Sequence, residues 1–314
     1  MNSYAILGTG AIGGYYGACL QRAGKEVHFL LNRDYHHVKK QGLVIESING
    51  NFTLSQVKAY QDVQQMPTCD VIVVALKTTQ NHLLPYLLPP LLKENSTILL
   101  LQNGLGVEEK IAEFANSQAI VGGLCFVCSN KTAPGHIRHL DYGYITIGAY
   151  NPNYKAAGIT KEMEEVAKDF ANAAIEIKFS QDLLKSRWQK LVWNIPYNGL
   201  SVVLDATTKQ IMLEESSRCL VEKIMTEVAA GAKSEGKEIT NDYIQTMLNY
   251  TKQMKPYHTS MKLDYDNHRP LEIEAIVGNP LKRAAHQGII LPKIEMLYQQ
   301  LKFLDTANRP NVAY

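Results

Sequence analysis

Tyr4-Ala5-Ile6-Leu7-Gly8-Thr9-Gly10-Ala11-Ile12-Gly13 is the stretch that decides the fold. Residues 4–7 form a short apolar run, the pattern of a strand covered on both faces. The glycine turn follows at once, and the residues after it read as a helix that closes at Gly24. In that setting the glycines permit a tight turn, let backbone N–H groups approach a pyrophosphate, and bring helix against strand. Phosphate then sits on the positive end of the helix. Gly14 and Gly17 continue the small-residue face that lets this helix lie close to a sheet. A strand-to-helix turn without a ligand is the competing reading. The strand before and the helix after favour a dinucleotide site made by Gly8, Thr9, Gly10, Ala11, Ile12 and Gly13.

Outward from this turn, short apolar runs alternate with helical stretches over the first ~180 residues, after which almost no strand-like run remains. The expected strands are residues 4–7, 26–31, 71–76, 97–101, 119–127, a late pair within 136–148, and 176–179. Residues 43–57 alternate around Asn49-Gly50, a type I′ turn signal, and read as a hairpin inserted into the sheet. Beyond Gln181 the expected helices are residues 183–204, 216–235, 241–254, 271–287 and 292–305. With 314 residues, the chain is about twice the ~150 typical of one domain. The reading is therefore an α/β N-terminal Rossmann-type doubly wound sheet over residues 1–180, binding the dinucleotide, followed by an all-α C-terminal domain over residues 181–314. Only residues 308–314 read as a loose tail.

Composition narrows the function. Hydrophobic residues make up 46% and charged residues 20%, which is ordinary for a folded globular chain. With 32 Lys+Arg against 30 Asp+Glu and no clustered basic face, nucleic acid is not an expected partner. The apolar runs 71–76 and 98–101 are far shorter than the ~20 residues of a membrane span, so no membrane partner is expected either. The start of the chain lacks the basic end and long apolar core of a signal peptide, which suggests a cytoplasmic protein. Its 5 cysteines are scattered and read as reduced thiols. Cys125 and Cys128 have the spacing of a metal or redox pair, but they fall in a strand-like run without a second ligand pair, so no metal site is expected.

The end of the second strand reads Leu31-Asn32-Arg33, where an NAD site would carry an acid for the ribose 2′-hydroxyl. Asn32 brings no charge to repel a 2′-phosphate, and the Arg33 guanidinium can pair with one or stack on adenine. NADP is the expected cofactor, with Asp34 left as an acid that could point back to a hydroxyl. Lys77 follows the strand 71–76 and reads either as a second phosphate-binding cation or as a solvated loop lysine. Gln102-Asn103-Gly104-Leu105-Gly106 follows another strand end. Its Asn103 reads either as an amide for the nicotinamide ribose and a substrate oxygen or as part of a glycine turn.

The second informative stretch is Trp188-Gln189-Lys190-Leu191-Val192-Trp193-Asn194-Ile195-Pro196-Tyr197-Asn198. Lys190, Asn194 and Asn198 recur every four residues and share one face of a helix whose other faces are apolar. A buried polar stripe must find partners. Pro196 frees the carbonyl of Val192 beside it. A lysine in such surroundings can serve as proton donor near neutral pH, whereas a snorkelling lysine with two packing amides is the structural alternative.

These pieces, together with Ala75-Leu76-Lys77, Ser260-Met261 and Glu272-Ile273-Glu274, come in the order found in ketopantoate reductases (2-dehydropantoate 2-reductases), a family the chain resembles over nearly its full length. The resemblance implies an NADPH-dependent oxidoreductase of pantothenate biosynthesis with its active site in a cleft between a Rossmann domain and a helical domain. It assigns Lys190 the role of proton donor. It gives Asn103, Asn194, Asn198, Ser260 and Glu272 contacts to a small 2-oxo acid substrate or to the cofactor, and it leaves a homodimer open. The chain departs from the family pattern at residues 204–209, where only Asp205, Thr207 and Thr208 stand in place of a further substrate-facing Asn. Two other readings share some of the same features: a related NADP-dependent 2-oxo acid or hydroxy acid dehydrogenase, and a dinucleotide-sensing protein without turnover. A sensor would have no use for Lys190 and its amides.

Overall fold

The computed structural model describes residues 2–115, 118–254 and 258–309. The chain forms two compact units, Met1–Gln102 with Val107–Leu183, and Asn103–Gly106 with Leu184–Tyr314. In the first unit β1 (Ser3–Leu7), β2 (Glu26–Leu30), β3 (Leu43–Ser47), β4 (Phe52–Leu54), β5 (Lys58–Tyr60), β6 (Cys69–Val74), β7 (Leu92–Leu100), β8 (Ala119–Ala133), β9 (His136–Ala149) and β10 (Ile177–Phe179) make one sheet. Its order is β4-β3-β9-β8-β7-β6-β1-β2-β5, with β10 also on β9. β1 is parallel to β2 and β6, and β7, β8 and β5 extend the parallel set. Tyr4 to Leu7, Ile72 to Val74 and Ile98 to Leu100 are all fully buried, as central strands covered on both faces must be. The turns after β1, β2, β6 and β7 therefore leave the same edge of the sheet, the carboxyl edge where such sheets bind ligands.

Helices α1 (Ala11–Arg22), α2 (Tyr35–Gln41), α3 (Leu84–Leu87), α4 (Val107–Ala112) and α5 (Lys161–Asn172) complete this unit. α1 lies on the sheet at very short range: a Cβ on Gly14 would stand 2.2 Å from Ile137 Cδ1, and one on Gly17 2.6 Å from Phe29 Cε1. α5 starts at Thr160, whose side chain caps the Met163 N–H, and it buries Met163, Val166 and Phe170 on one face. Burial of each such side chain contributes about 1.5–3 kcal/mol. The one ion on that face is answered: buried Asp169 accepts from Tyr4 Oη at 2.7 Å and Asn2 Nδ2 at 3.0 Å and pairs with Lys25. A buried charge requires such partners.

Three local expectations are corrected. The hairpin of β3 and β4 sits at the edge of the sheet, with β3 parallel to β9, so it extends the sheet rather than interrupting it. Its turn is not type I′, which needs positive φ at both central residues. Gly50 has φ +105 while Asn49 does not enter the left-handed region, and the Gly50 N–H closes the turn on Ser47 O at 2.9 Å. Residues 136–148 form not a pair but the single strand β9, antiparallel to β8 and bent where Tyr142 (φ 59) and Gly143 (φ 130) take left-handed backbone. β5 was not expected, since three residues with one alanine and one tyrosine carry no periodic signal.

The second unit is helical among the described residues: α6 (Leu183–Val203, whose first residue closes the first unit), α7 (Thr208–Leu213), α8 (Glu215–Ser234), α9 (Asn241–Gln253), α10 (Ser260–Asp266), α11 (Asn279–His286) and α12 (Pro292–Ala307). The helix expected over 271–287 begins only after Glu272 and runs as a π-helical segment, Glu274–Gly278, before α11. α7 and α10 lack the length to display a 3.6-residue period, yet each is started by a threonine cap, Thr207 and Thr259. Of the expected tail, Asn308 caps α12 while residues 310–314 lie outside the described residues. Among the described residues no helix is long and apolar enough to cross a membrane.

Candidate active site

The glycine loop has the form a pyrophosphate requires. Gly8 has φ +98, and a Cβ there would stand 2.5 Å from the Leu76 backbone nitrogen, so a side chain is excluded on both counts. A Cβ on Gly13 would stand 2.3 Å from Gly8 O, which is how close α1 begins to the turn. Gly10 differs from both: nothing lies within 4 Å of the position its Cβ would take. The N-cap Gly10 supplies no side-chain cap to the N–H groups of the first turn of α1. Thr9 locks the loop to the end of β2 through Oγ1, which donates to Leu30 O at 2.9 Å. Uncapped donors beside an opening without a Cβ fit a dinucleotide pyrophosphate.

At the end of β2, Asn32 and Arg33 are exposed while Asp34 is buried. Asp34 does not turn back toward a ribose. Its Oδ2 accepts the Gly135 N–H at 3.1 Å and pairs with Lys131, a tie across the unit that spacing along the chain could not reveal. With Asp34 paired, exposed Arg33 fits a 2′-phosphate better than a ribose hydroxyl. Lys77 is also exposed, directly after β6. Gln102 is buried at the end of β7, where Nε2 donates to Leu76 O at 2.8 Å and Asn81 Oδ1 at 2.6 Å, so it braces the strand ends.

Asn103 belongs to the second compact unit together with Gly104 to Gly106. The Leu105 N–H donates to Ala275 O at 2.9 Å, and Asn279 Nδ2 donates to Leu105 O at 2.7 Å. Gly104 has φ +98, and a Cβ there would stand 2.4 Å from Ala275 O. The loop that carries half-buried Asn103 is therefore bonded to the π-helical turn that follows Glu272. π-helical turns concentrate at functional sites because they displace side chains from the helical register. Glu272 itself is buried, at 5% exposure, just before that turn.

Glu274, in contrast, faces outward and has a structural role. Burial raises its pKa, but hydrogen bonds from Tyr298, Lys282 and Lys302 outweigh this and hold it at about 2. A carboxyl depressed in the folded state stabilises above its unfolded pKa, about 4.3, and loses that contribution as pH falls through the folded value. The difference in melting temperature between wild type and Glu274→Gln is expected to narrow from pH 5 toward pH 2, measured by calorimetry.

Along α6, Lys190 is half-buried, Asn194 is 6% exposed and Asn198 is 2% exposed. Among the described residues Asn198 Oδ1 is buried without a hydrogen-bond partner, an acceptor whose burial is costly unless a ligand supplies a donor. Two turns of the second unit meet beside it. Ser201 Oγ donates to Asn198 O at 3.0 Å and lies 2.7 Å from Thr259 Oγ1, the cap of α10. Half-buried Ser260, the first residue of α10, is thereby fixed near the Asn198 turn. Lys262 adds a second tie from α10, pairing with Asp205 at 2.7 Å and with Asp266. Ser201, Thr259 and Lys262 belong to no sequence motif; the one local signal among them is Thr259 as a capping threonine at the start of α10.

All 5 cysteines are free thiols, and Cys125 and Cys128 lie on β8 with a register shift between them. No group of His, Cys, Asp and Glu among the described residues is arranged to hold a metal.

Two family models match the chain, "Ketopantoate reductase PanE/ApbA" over residues 4–152 and "Ketopantoate reductase PanE/ApbA C terminal" over residues 182–305. A 2-dehydropantoate 2-reductase of Nostoc sp. is 62% identical over 306 residues, 98% of this chain and 96% of the relative. The crystal structure of a 2-dehydropantoate 2-reductase from Geobacter metallireducens superimposes with a TM-score of 0.91 at 43% identity, covering 96% of this chain and 99% of that one. A dimeric ketopantoate reductase from Staphylococcus aureus shares the fold, with a TM-score of 0.81 at 22% identity over 98% of this chain and 99% of that one. With both halves matched in order and a relative of this identity along almost its whole length, the chain belongs to the ketopantoate reductase family.

Proposed function

We propose that the protein reduces the ketone of 2-dehydropantoate to pantoate with NADPH, in the biosynthesis of pantothenate and coenzyme A. The observation that carries this reading is the 62% identity to a 2-dehydropantoate 2-reductase along 98% of the chain. Residues 1–180 are the NADP-binding part, with Gly8, Thr9, Gly10, Ala11, Ile12 and Gly13 at the pyrophosphate and Asn32, Arg33 and Lys77 toward the 2′-phosphate. Residues 181–314 are the substrate-binding and catalytic part, joined by Asn103 from the loop that packs with them.

Bound NADPH supplies the hydride. As negative charge grows on the ketone oxygen, the Lys190 ammonium stabilises it and donates the proton that completes the alcohol. Asn194, Asn198 and Ser260 orient the substrate through its carboxylate and hydroxyl, Asn198 using the acceptor that is otherwise unanswered. Asn103 holds the nicotinamide ribose and a substrate oxygen, and Glu272 accepts from a hydroxyl of substrate or cofactor. The protein acts in the cytoplasm, and a homodimer is the proposed assembly, in keeping with the dimeric Staphylococcus relative. Sedimentation equilibrium would settle the assembly.

The reading is tested by NADPH oxidation, followed at 340 nm, across a panel of 2-oxo acids. 2-Dehydropantoate is expected to give the highest kcat/KM, and a higher value with another 2-oxo acid would displace it. The open space at Gly10 gives a second test. Gly10→Ala has no protein atom to strike, so its melting temperature should stay near wild type. The new methyl stands where the phosphates approach, and NADPH affinity is expected to fall about fivefold by calorimetric titration.

A further inference from the structure

We propose that Lys131 sets the preference for NADPH over NADH by taking the Asp34 carboxylate out of the cofactor corner. This rests on the NADP reading above and adds a residue to which neither the motifs nor the relatives give a role. Asp34 is the one acid in Leu31-Asn32-Arg33-Asp34-Tyr35, the segment that leaves β2, where a carboxylate accepts from the ribose 2′-hydroxyl in NAD sites. Here that carboxylate is turned into the protein. Its side chain is 10% exposed, Oδ2 accepts the Gly135 N–H at 3.1 Å, and the Lys131 ammonium pairs with the same oxygen.

Both partners come from the β8–β9 hairpin, whose tip is itself fixed. Gly135 has φ +65, its carbonyl accepts the Val44 N–H at 2.9 Å, and a Cβ on it would stand 2.9 Å from Gly42 O. The carboxylate is thus held by a rigid main-chain donor for direction and by a lysine for charge. With the charge paired, Arg33 meets a 2′-phosphate without a competing anion beside it. With Lys131 neutral, the Asp34 carboxylate would lose its cationic partner, compete for the guanidinium of the adjacent Arg33 and repel the phosphate, while a ribose hydroxyl would be unaffected or gain an acceptor.

The test is calorimetric titration of NADPH and NADH into wild type, Lys131→Met, Asp34→Asn and the double variant, so that no assumption about the substrate enters. Lys131→Met is expected to lower the ratio of NADPH to NADH affinity about tenfold. Lys131→Arg should hold the wild-type ratio. Asp34→Asn should leave the ratio near wild type, and in that background Lys131→Met should cost little, the non-additivity expected when one residue acts through another. An unchanged ratio in Lys131→Met overturns the proposal. So does an equal loss in both backgrounds, which would make Lys131 a direct phosphate partner. If Lys131→Met fails to fold, Asp34→Asn still decides: a tenfold gain in NADPH affinity would show that the Asp34 charge is not neutralised, against the proposal. Failure of the underlying cofactor reading is separately visible, as wild type binding NADH at least as tightly as NADPH.

Discussion

Lys190→Ala is expected to reduce turnover by about 10²- to 10⁴-fold, the usual cost of losing one general acid, while NADPH binding stays near wild type. The separation follows from where the parts lie. Lys190 is half-buried on α6, whereas the glycine loop and Arg33 belong to the other compact unit. Alanine is the best helix former, so the change does not weaken α6 through backbone propensity. Lys190→Arg separates charge from proton transfer, because guanidinium stabilises an alkoxide but does not release a proton near neutral pH. Its rate should therefore remain well below wild type. The measurement is single-turnover NADPH oxidation with 2-dehydropantoate at several pH values. A Lys190→Ala enzyme with near wild-type rates and an unchanged pH profile would reduce the lysine to packing.

The parts of the fold legible in the sequence were those with a period long enough to repeat. β1, β6 and β7 carry the apolar runs 4–7, 71–74 and 98–100 because those parts are covered on both faces, and α6, α8, α9 and α12 each exceed three turns. What escaped was short or set by tertiary partners. β5 has three residues and exists because the edge of β2 offers it hydrogen bonds. α7 and α10 have six and seven residues. The helix after Glu272 opens as a π-helical segment, Glu274–Gly278, whose Ala275 O accepts the N–H of Leu105, a partner far away along the chain.

The candidate site divides in the same way. Glycines with an imposed geometry, such as Gly8, and a polar face repeated every fourth residue, such as Lys190, Asn194 and Asn198, are visible because their pattern is local. The ties that support them are long-range and lack any pattern: Ser201 with Thr259, Lys262 with Asp205, Asp34 with Lys131. Asp34 illustrates the difference. From its neighbours it was an available ribose acceptor, and only the hairpin tip 97 positions later in the numbering, at Lys131, removes it from that role.

Arg33→Ala is expected to weaken NADPH about 10²-fold, the loss of two charge-assisted hydrogen bonds to a phosphate at about 1.5 kcal/mol each. Arg33 is exposed at the end of β2, and it makes no ion pair among the described residues, so the substitution removes little from the fold. NADH lacks the 2′-phosphate, and its affinity should change far less; the residual effect reports stacking of the guanidinium on adenine. Arg33→Lys keeps the charge but not the two-pronged geometry and should fall between the two. Raising ionic strength should narrow the gap between wild type and Arg33→Ala, since exposed charge pairs are screened. Calorimetric titration of both cofactors at two salt concentrations checks all of this. An equal loss for NADPH and NADH would mean that Arg33 holds adenine rather than phosphate.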